Sequence, residues 1–338
     1  MLRIGLIGCG AVTERSHVPA LLSTGERVKI TAAVDRNPAR ADLISQMSGA
    51  KAFKEIADAI PHCDAAIVAL PHFLHAPASI QLLSAGKHVL VEKPMALNRA
   101  ECDAIIAAAN NSGAILGVGQ MRRFCPAVAT AKWLLAGGSI GKILRWKILE
   151  GLIYCWPVAS DFFFRRETAG GGVLMDTGAH TLDMLLWFFG DVDRFEYRDD
   201  AGAGVEADCE IKLAMKNGSV GYVELSRTRN LPGILEVEGA EGRLLLDFSS
   251  NRCTVVPSIL GNKIFVNAAG DFTAVGADLG AAMFALQLDD WLGAIEQKRP
   301  PLATGEEARR VVDFIEKCYA QRQPLTKPWN AVELEGNP

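Results

Sequence analysis

The sequence predicts an α/β protein, with a doubly wound parallel-sheet domain followed by a second domain rich in paired strands. Three observations carry this. Short, continuously apolar runs alternate with helix-patterned segments up to about residue 120, a glycine-punctuated turn follows the first run, and from about residue 192 to 256 the rhythm becomes strand–turn–strand. At 338 residues the chain is long for one core and natural for two domains, which the pattern divides at 1–121 and 122–338.

In the first part, Leu2–Ile7, Val28–Val34, Ala65–Leu70, His88–Val91 and Ile115–Val118 read as strands buried on both faces. Pro38–Ser48, Ala76–Ala85 and Asn98–Asn110 carry apolar residues at three-and-four spacing and read as helices. Asn98 is placed as an N-cap, with Glu101 three residues later as in a capping box. Strand–helix–strand alternation implies right-handed crossovers.

In the second part, Ala127–Ala136 predicts a helix ended by Gly137-Gly138, Ile143–Ile153 a long strand, and Val173–Phe189 an apolar helix after Gly170–Gly172. Two helices, near Leu279–Ile295 and Glu306–Ala320, close the chain around Pro300-Pro301, and only the final Glu-Gly-Asn-Pro reads as frayed. Asn217-Gly218 predicts a two-residue type I′ hairpin turn. That turn pairs Met215 with Val220 and Leu213 with Tyr222 on one face, and Lys212 with Val223 and Glu210 with Leu225 on the other. Both faces are then partly apolar. One should carry the domain's helices, and the other is either a subunit interface or a mixed, solvated face.

Composition narrows the function classes. The net charge of -4, with Lys and Arg scattered, offers no basic stripe for nucleic acid. No uncharged apolar run reaches the ~18 residues of a membrane span, and Gly5 breaks the first apolar run too early for a secretory leader. The eight cysteines show no CxxC spacing and read as reduced thiols of a cytoplasmic protein. No metal is expected, because His72 and His75 lack a carboxylate or thiol at ligand spacing.

Gly8-Cys9-Gly10-Ala11-Val12-Thr13 lies between the first strand and the helix that follows. Gly8 permits the tight turn, Gly10 lets a pyrophosphate approach the backbone, and Ala11 and Val12 open a helix whose free N–H groups face that charge. Thr13 stands where a third glycine normally allows close helix–strand packing, so the helix should be pushed out slightly. Asp35, at the end of the second strand, is placed to accept hydrogen bonds from an adenosine ribose, which favours NAD; Arg36 beside it keeps NADP possible.

Glu92-Lys93-Pro94 directly follows the strand His88–Val91, so Lys93 emerges at the carboxyl edge of the sheet, where ligands sit. In the Val173–Phe189 helix, Asp176 and His180 are an i, i+4 pair amid apolar neighbours. Such a pair is either a carboxylate orienting a catalytic imidazole or a structural hydrogen bond in a core.

Gly8-Cys9-Gly10, Pro71-His72-Phe73-Leu74-His75, Gly86–Pro94 and Gly170–His180, in this order, resemble the Gfo/Idh/MocA family of glucose–fructose oxidoreductase and inositol dehydrogenase-like proteins. The resemblance implies a Rossmann domain and a C-terminal α/β domain with a large, predominantly antiparallel sheet. It implies an NAD(P)-dependent dehydrogenase or reductase acting on sugars, cyclitols or their derivatives, as a homodimer or homotetramer through that sheet. The family's catalytic lysine, aspartate and histidine fall on Lys93, Asp176 and His180, and Lys93–Pro94 becomes a candidate cis peptide. Pro71, His75 and Glu92 join Gly8, Gly10, Ala11, Val12, Asp35, Arg36 and Lys93 as expected cofactor contacts. His72 stands where the family often has asparagine.

Arg122 and Arg123 begin the second domain, by the cleft in the resemblance, and either reaches cofactor or substrate or caps the next helix. Tyr154, Trp156, Phe162–Phe164, Arg165 and Arg166 precede the glycine run, and either line a sugar pocket or form ordinary core. The expected reaction is hydride exchange at a secondary alcohol carbon. His180 moves the hydroxyl proton, Lys93 hydrogen-bonds the same oxygen, and Asp176 orients His180, with Lys93 and His180 able to exchange roles. The alternatives are a dinucleotide-sensing regulator without chemistry and an NAD-assisted glycosidase.

Overall fold

The computed structural model describes residues 1–155, 161–202, 204–258, 264–266 and 279–325. Trp156 and the terminal Glu-Gly-Asn-Pro lie outside them.

The first sheet has six parallel strands in the order β3-β2-β1-β4-β5-β6. They are β1 (Leu2–Ile7), β2 (Val28–Val34), β3 (Lys51–Phe53), β4 (Ala65–Val68), β5 (His88–Val91) and β6 (Leu116–Val118). This is the doubly wound arrangement that the alternation predicted, and it reverses direction between β1 and β4. The short strand β3 is an addition, because its Lys51-Ala52-Phe53 is too brief and too exposed to read as an apolar run. Helices Pro38–Ser48, His75–Ser84 and Arg99–Ser112 pack on the sheet. Asn98 does cap the last of these, accepting from Glu101 N at 2.9 Å, but Glu101 reaches back to Leu97 N, at 3.0 Å, rather than to Asn98 N.

Among the described residues the second sheet has nine strands, with β7 (Ile143–Gly151) at its centre. The others are β8 (Val192–Asp199), β9 (Asp208–Met215), β10 (Val220–Ser226), β11 (Ile234–Gly239), β12 (Gly242–Asp247), β13 (Arg252–Pro257), β14 (Ile264–Val266) and β15 (Gln323–Pro324). Among the described residues only the β7–β10 and β8–β15 pairs run parallel, so the sheet is mixed and largely antiparallel.

The β9–β10 hairpin corrects the expected turn and register. Met215 pairs across to Ser219, leaving a three-residue loop in which Gly218, at φ +88°, alone takes the left-handed region. A type I turn closed by a left-handed glycine shifts pairing by one residue relative to a two-residue I′ loop. The partners are therefore Val220 with Ala214, Tyr222 with Lys212, Val223 with Ile211 and Leu225 with Cys209. Segregation follows: Cys209, Ile211, Leu213, Met215, Val223 and Leu225 all face the buried side. The other face is mixed and partly apolar, as expected, with Val220 and Leu245 exposed among charged pairs. It carries Arg145–Glu238 at 2.7 Å, Lys147–Glu236 at 2.9 Å and Arg198–Glu210 at 3.2 Å.

The buried face packs on helices Val173–Phe189 and Pro126–Ala136. The chain then returns across the expected boundary. Phe284, Leu288, Trp291 and Leu292 of helix Leu279–Gln297 enter the core around β1. Helix Gly305–Ala320 contributes Ala308 and Val312 to the first domain's core and Val311, Phe314 and Ile315 to the second's. Division at residue 121 thus describes the two sheets but not the closing helices. Among the described residues, no helix is long and apolar enough to cross a membrane.

Candidate active site

The turn after β1 is shaped for a phosphate. Gly8 sits at φ +96°, and a Cβ there would lie 2.2 Å from Ala69 O, so only glycine fits. A Cβ on Gly10 would meet nothing within 4 Å among the described residues, so the backbone is open to a ligand at that point. These features fit a dinucleotide pyrophosphate over Gly10, Ala11 and Val12. Thr13 is fully buried, its hydroxyl donates to Gly8 O at 2.6 Å, and the turn Thr13–His17 that accommodates it is π-helical.

Asp35 is held beside this turn, its carboxylate accepting from Cys9 N at 2.9 Å and Asn37 N at 2.8 Å. Arg36 is exposed. Arg40, which sequence reasoning missed, lies against the turn instead, donating to Cys9 O at 2.7 Å and Glu14 at 2.8 Å.

Pro71 opens the short turn leading to His75. His75 is buried, with Nδ1 2.7 Å from Pro94 O and Nε2 2.7 Å from Leu70 O. Neither ring nitrogen is left for a ligand. The residue ties β4 to the Glu92-Lys93-Pro94 loop, whose Lys93–Pro94 bond is cis. Burial pushes the His75 ring below the ordinary histidine range. Glu92 accepts from the buried His17 at 2.8 Å. Burial acts to raise the Glu92 carboxyl, but the hydrogen bond and charge of His17 outweigh it and hold the group low. His72 donates Nδ1–H to Ala169 O at 2.8 Å against Phe162 and Phe163, and burial pushes it down to about 3.

The helix Val173–Phe189 carries Asp176 and His180, and Lys93 reaches it from the loop after β5. Lys93 Nζ lies 2.6 Å from Asp176 Oδ1 and 3.2 Å from Asp176 O. The other carboxylate oxygen accepts from Arg227 Nη2 at 2.9 Å. Burial alone would raise the Asp176 carboxyl; the two cations overturn that and hold it well below the usual carboxylate range. The expected Asp176–His180 hydrogen bond is not among those of the described residues, because two cations outcompete a neutral imidazole for the carboxylate. His180 Nδ1 is buried without a partner among the described residues. Burial, reinforced by the charges of Lys93 and Arg122, pushes its pKa well below the ordinary histidine range, so the ring is neutral at pH 7.

The arginines divide. Arg122 forks onto Glu150, with Nη1 2.8 Å from Oε2, and Thr181 donates to the same Oε2 at 2.7 Å. Arg123 neither caps a helix nor faces the site. It is bidentate on buried Asp183, at 2.7 and 2.8 Å, and reaches Glu307 at 2.6 Å, locking the His180 helix to the closing helix. Arg165 is exposed and pairs with Asp161 on its own turn. Tyr154 lies under Arg227, whose guanidinium stands 5.0 Å from the ring centre, and burial pushes the phenol up to about 12. Arg227 and Glu150 carried no sequence signal, since a charged residue at the end of a strand is ordinarily a surface group. Among the described residues, no cluster of three or more His, Cys, Asp or Glu could hold a metal ion.

Residues 2–120 match the family model described as an oxidoreductase family with an NAD-binding Rossmann fold, and 128–245 match the GFO/IDH/MocA C-terminal domain. The mouse trans-1,2-dihydrobenzene-1,2-diol dehydrogenase is 31% identical over 71% of this chain and 73% of that protein. This chain belongs to the Gfo/Idh/MocA oxidoreductase family. As a Gfo/Idh/MocA protein it is also similar to 1,5-anhydro-D-fructose reductase of Ensifer adhaerens, 26% identical over 91% of this chain and 92% of that one. A putative UDP-kanosamine synthase oxidoreductase subunit of Amycolatopsis mediterranei is 34% identical, but the match spans only 56% of this chain and 52% of that protein. In fold it resembles levoglucosan dehydrogenase in complex with NADH and levoglucosan, with TM-score 0.84, 21% identity and coverage of 95% and 98% of the two chains. The family's NAD-binding domain is residues 2–120 here, and the chain is an oxidoreductase.

Proposed function

We propose that this Gfo/Idh/MocA protein interconverts a secondary alcohol and a ketone on a sugar, a cyclitol or a sugar derivative, with NAD preferred to NADP. One observation carries the reading. An ammonium from the first domain's loop meets a carboxylate on the second domain's helix at 2.6 Å, one turn before a neutral, half-buried histidine. The anhydrofructose and levoglucosan in the relatives' names supply the substrate class.

Bound NAD supplies the hydride acceptor or donor. Gly8, Gly10, Ala11 and Val12 seat its pyrophosphate, and Asp35, already oriented by two backbone N–H groups, has lone pairs left for ribose hydroxyls. The same carboxylate repels a 2′-phosphate. Lys93 donates to the reacting oxygen and stabilises negative charge on it. His180, neutral and with no partner at Nδ1 among the described residues, accepts the hydroxyl proton in oxidation and returns it in reduction. Asp176 keeps Lys93 aimed rather than orienting His180. Arg122 and Tyr154 flank the pocket, and Arg165 is assigned no contact with substrate.

A homodimer or homotetramer through the outward face of the nine-stranded sheet belongs to the same reading. Leu144, Val220 and Leu245 stand exposed there among charged pairs; light scattering of the purified protein tests it. Buried free thiols at Cys9, Cys63, Cys102, Cys125, Cys209, Cys253 and Cys318 suit a reducing compartment, the cytoplasm.

The deciding experiment is a panel of aldoses, cyclitols, sugar acids and simple glycosides, each assayed with NAD and NADP by nicotinamide absorbance and for sugar release. Net NADH formation with at least one of them is the expected result. Cleavage of a glycoside with no net NADH would replace this reading with a glycosidase, and tight NADH binding with neither reaction would replace it with a sensor.

A further inference from the structure

We propose that Glu206 is a positioning residue for this reaction: with Tyr319 it clamps the start of the His180 helix, and with Ala207 it sets Asp176 against Arg227. The inference rests on the hydride-transfer reading for its catalytic consequence, but not for the clamp itself.

Glu206 precedes β9 and is fully buried. Its carboxylate accepts from Gly172 N at 2.9 Å, Leu174 N at 2.9 Å and the Tyr319 hydroxyl at 2.7 Å, and its carbonyl accepts from Val173 N at 2.9 Å. Gly172 offers no side chain to cap this helix, so one residue distant in sequence takes three successive N–H groups at the positive end of the dipole, those of Gly172 and Leu174 on its carboxylate and that of Val173 on its carbonyl. Burial pushes the Glu206 carboxyl up, while these donors and the Tyr319 hydroxyl pull against that.

The glycine run makes the approach possible. A Cβ on Gly172 would fall 1.8 Å from Glu206 O, and one on Gly171 would fall 1.9 Å from the Tyr319 hydroxyl. Two of the three glycines are thus the footprint of the clamp. Gly172 is also the direct support of the site, because its carbonyl accepts from Asp176 N at 3.1 Å. The next residue along, Ala207, accepts from Arg227 N at 2.8 Å. Adjacent residues therefore hold the backbone beneath Asp176 and the backbone of the arginine that grips it. A shift of this segment changes the Lys93–Asp176–Arg227 geometry without touching the phosphate turn.

The test compares Glu206→Ala, Glu206→Gln and Tyr319→Phe in the full chain. Amide exchange over residues 172–176, NADH affinity by fluorescence, and kcat and KM on a substrate found by the panel are measured for each. Glu206→Ala should speed exchange and lower kcat by about 100-fold, the scale of a misplacement near 1 Å, with NADH affinity unchanged. Glu206→Gln, which keeps an acceptor oxygen, should recover most of the kcat, and Tyr319→Phe should show the same pattern more weakly. Wild-type kcat in Glu206→Ala, whatever its melting temperature, overturns the positioning role, and unchanged exchange overturns the clamp. Should Glu206→Ala not fold, Tyr319→Phe decides by the same two readouts. Should the wild type turn over no member of the panel, the exchange result still decides the clamp, and only the hydride-transfer reading falls.

Discussion

Lys93 Nζ and Asp176 Oδ1 stand 2.6 Å apart, and that contact joins the carboxyl edge of the first sheet to the helix that carries His180. Neither residue is free to move alone. Asp176 is gripped from its other side by Arg227, and Lys93 leaves a loop braced by His75 and Glu92.

Replacing Lys93 with Met should reduce turnover by roughly 10²- to 10⁴-fold, the range for loss of a positioned proton-transfer or oxyanion-stabilising group. NADH binding should survive, because the phosphate turn and Asp35 are untouched. Steady-state rates and a fluorescence titration on the same preparation check both halves; turnover near wild type removes Lys93 from the chemistry.

Arg227→Met tests a residue that no motif signalled. Asp176 then answers to Lys93 alone and swings toward it, and Tyr154 loses its cationic cover. The expected outcome is a kcat about 10- to 100-fold lower, as for a modest misplacement of the reacting groups, with KM for NAD unaltered. An equal rise in both KM values with kcat intact would point instead to simple substrate binding.

The pH dependence has a definite sign. The histidine that accepts a proton must be neutral, and burial with Lys93 and Arg122 nearby places its pKa well below 6.5. Oxidation measured as kcat/KM should therefore hold up as the pH falls through 6.5, with the acid limb displaced below that value. An acid limb centred at or above 6.5 contradicts the assignment of His180 as the base.

Asp35→Ala should weaken NAD binding by roughly 10- to 100-fold, the worth of hydrogen bonds to a charged acceptor. It should weaken NADP binding much less, because the carboxylate that repels a 2′-phosphate is gone. Dissociation constants for both cofactors, measured in wild type and variant, give the ratio directly, and an unchanged ratio would show that Asp35 does not select the cofactor.

Full or partial burial of four histidines makes stability pH-dependent in a predictable direction. His72, His75, His88 and His180 all sit below their ordinary value in the folded protein, mainly through burial. The unfolded chain binds their protons first, so stability is present above about pH 6.5 and declines as pH falls toward the folded values, about 3 for His72. Thermal melts at pH 7.5, 6 and 5 should show progressive loss; a flat profile over that range would contradict the burial of these rings.

Much of this protein was legible before folding. The parallel sheet could be read because strands buried on both faces are continuously apolar, and the helix Val173–Phe189 appeared with its observed ends because a glycine run precedes it and Gly190 follows. Lys93, Asp176 and His180 were marked by sequence context. The β9–β10 register was not, because Asn-Gly serves both a two-residue and a three-residue loop, and one residue of slip exchanges the faces.

What the linear sequence determined was local: which segments become strands and helices, where the phosphate turn lies, and which residue types stand at the sheet's edge. What only the tertiary structure decided was pairing. Arg227 is 51 residues from Asp176, and Glu206 is 34 from Gly172; no periodicity or spacing rule reaches across such separations. The competition of two cations for one carboxylate also appears only once three elements meet. Charge–charge interaction depends on distance in space and on the local loss of water, and chain separation encodes neither.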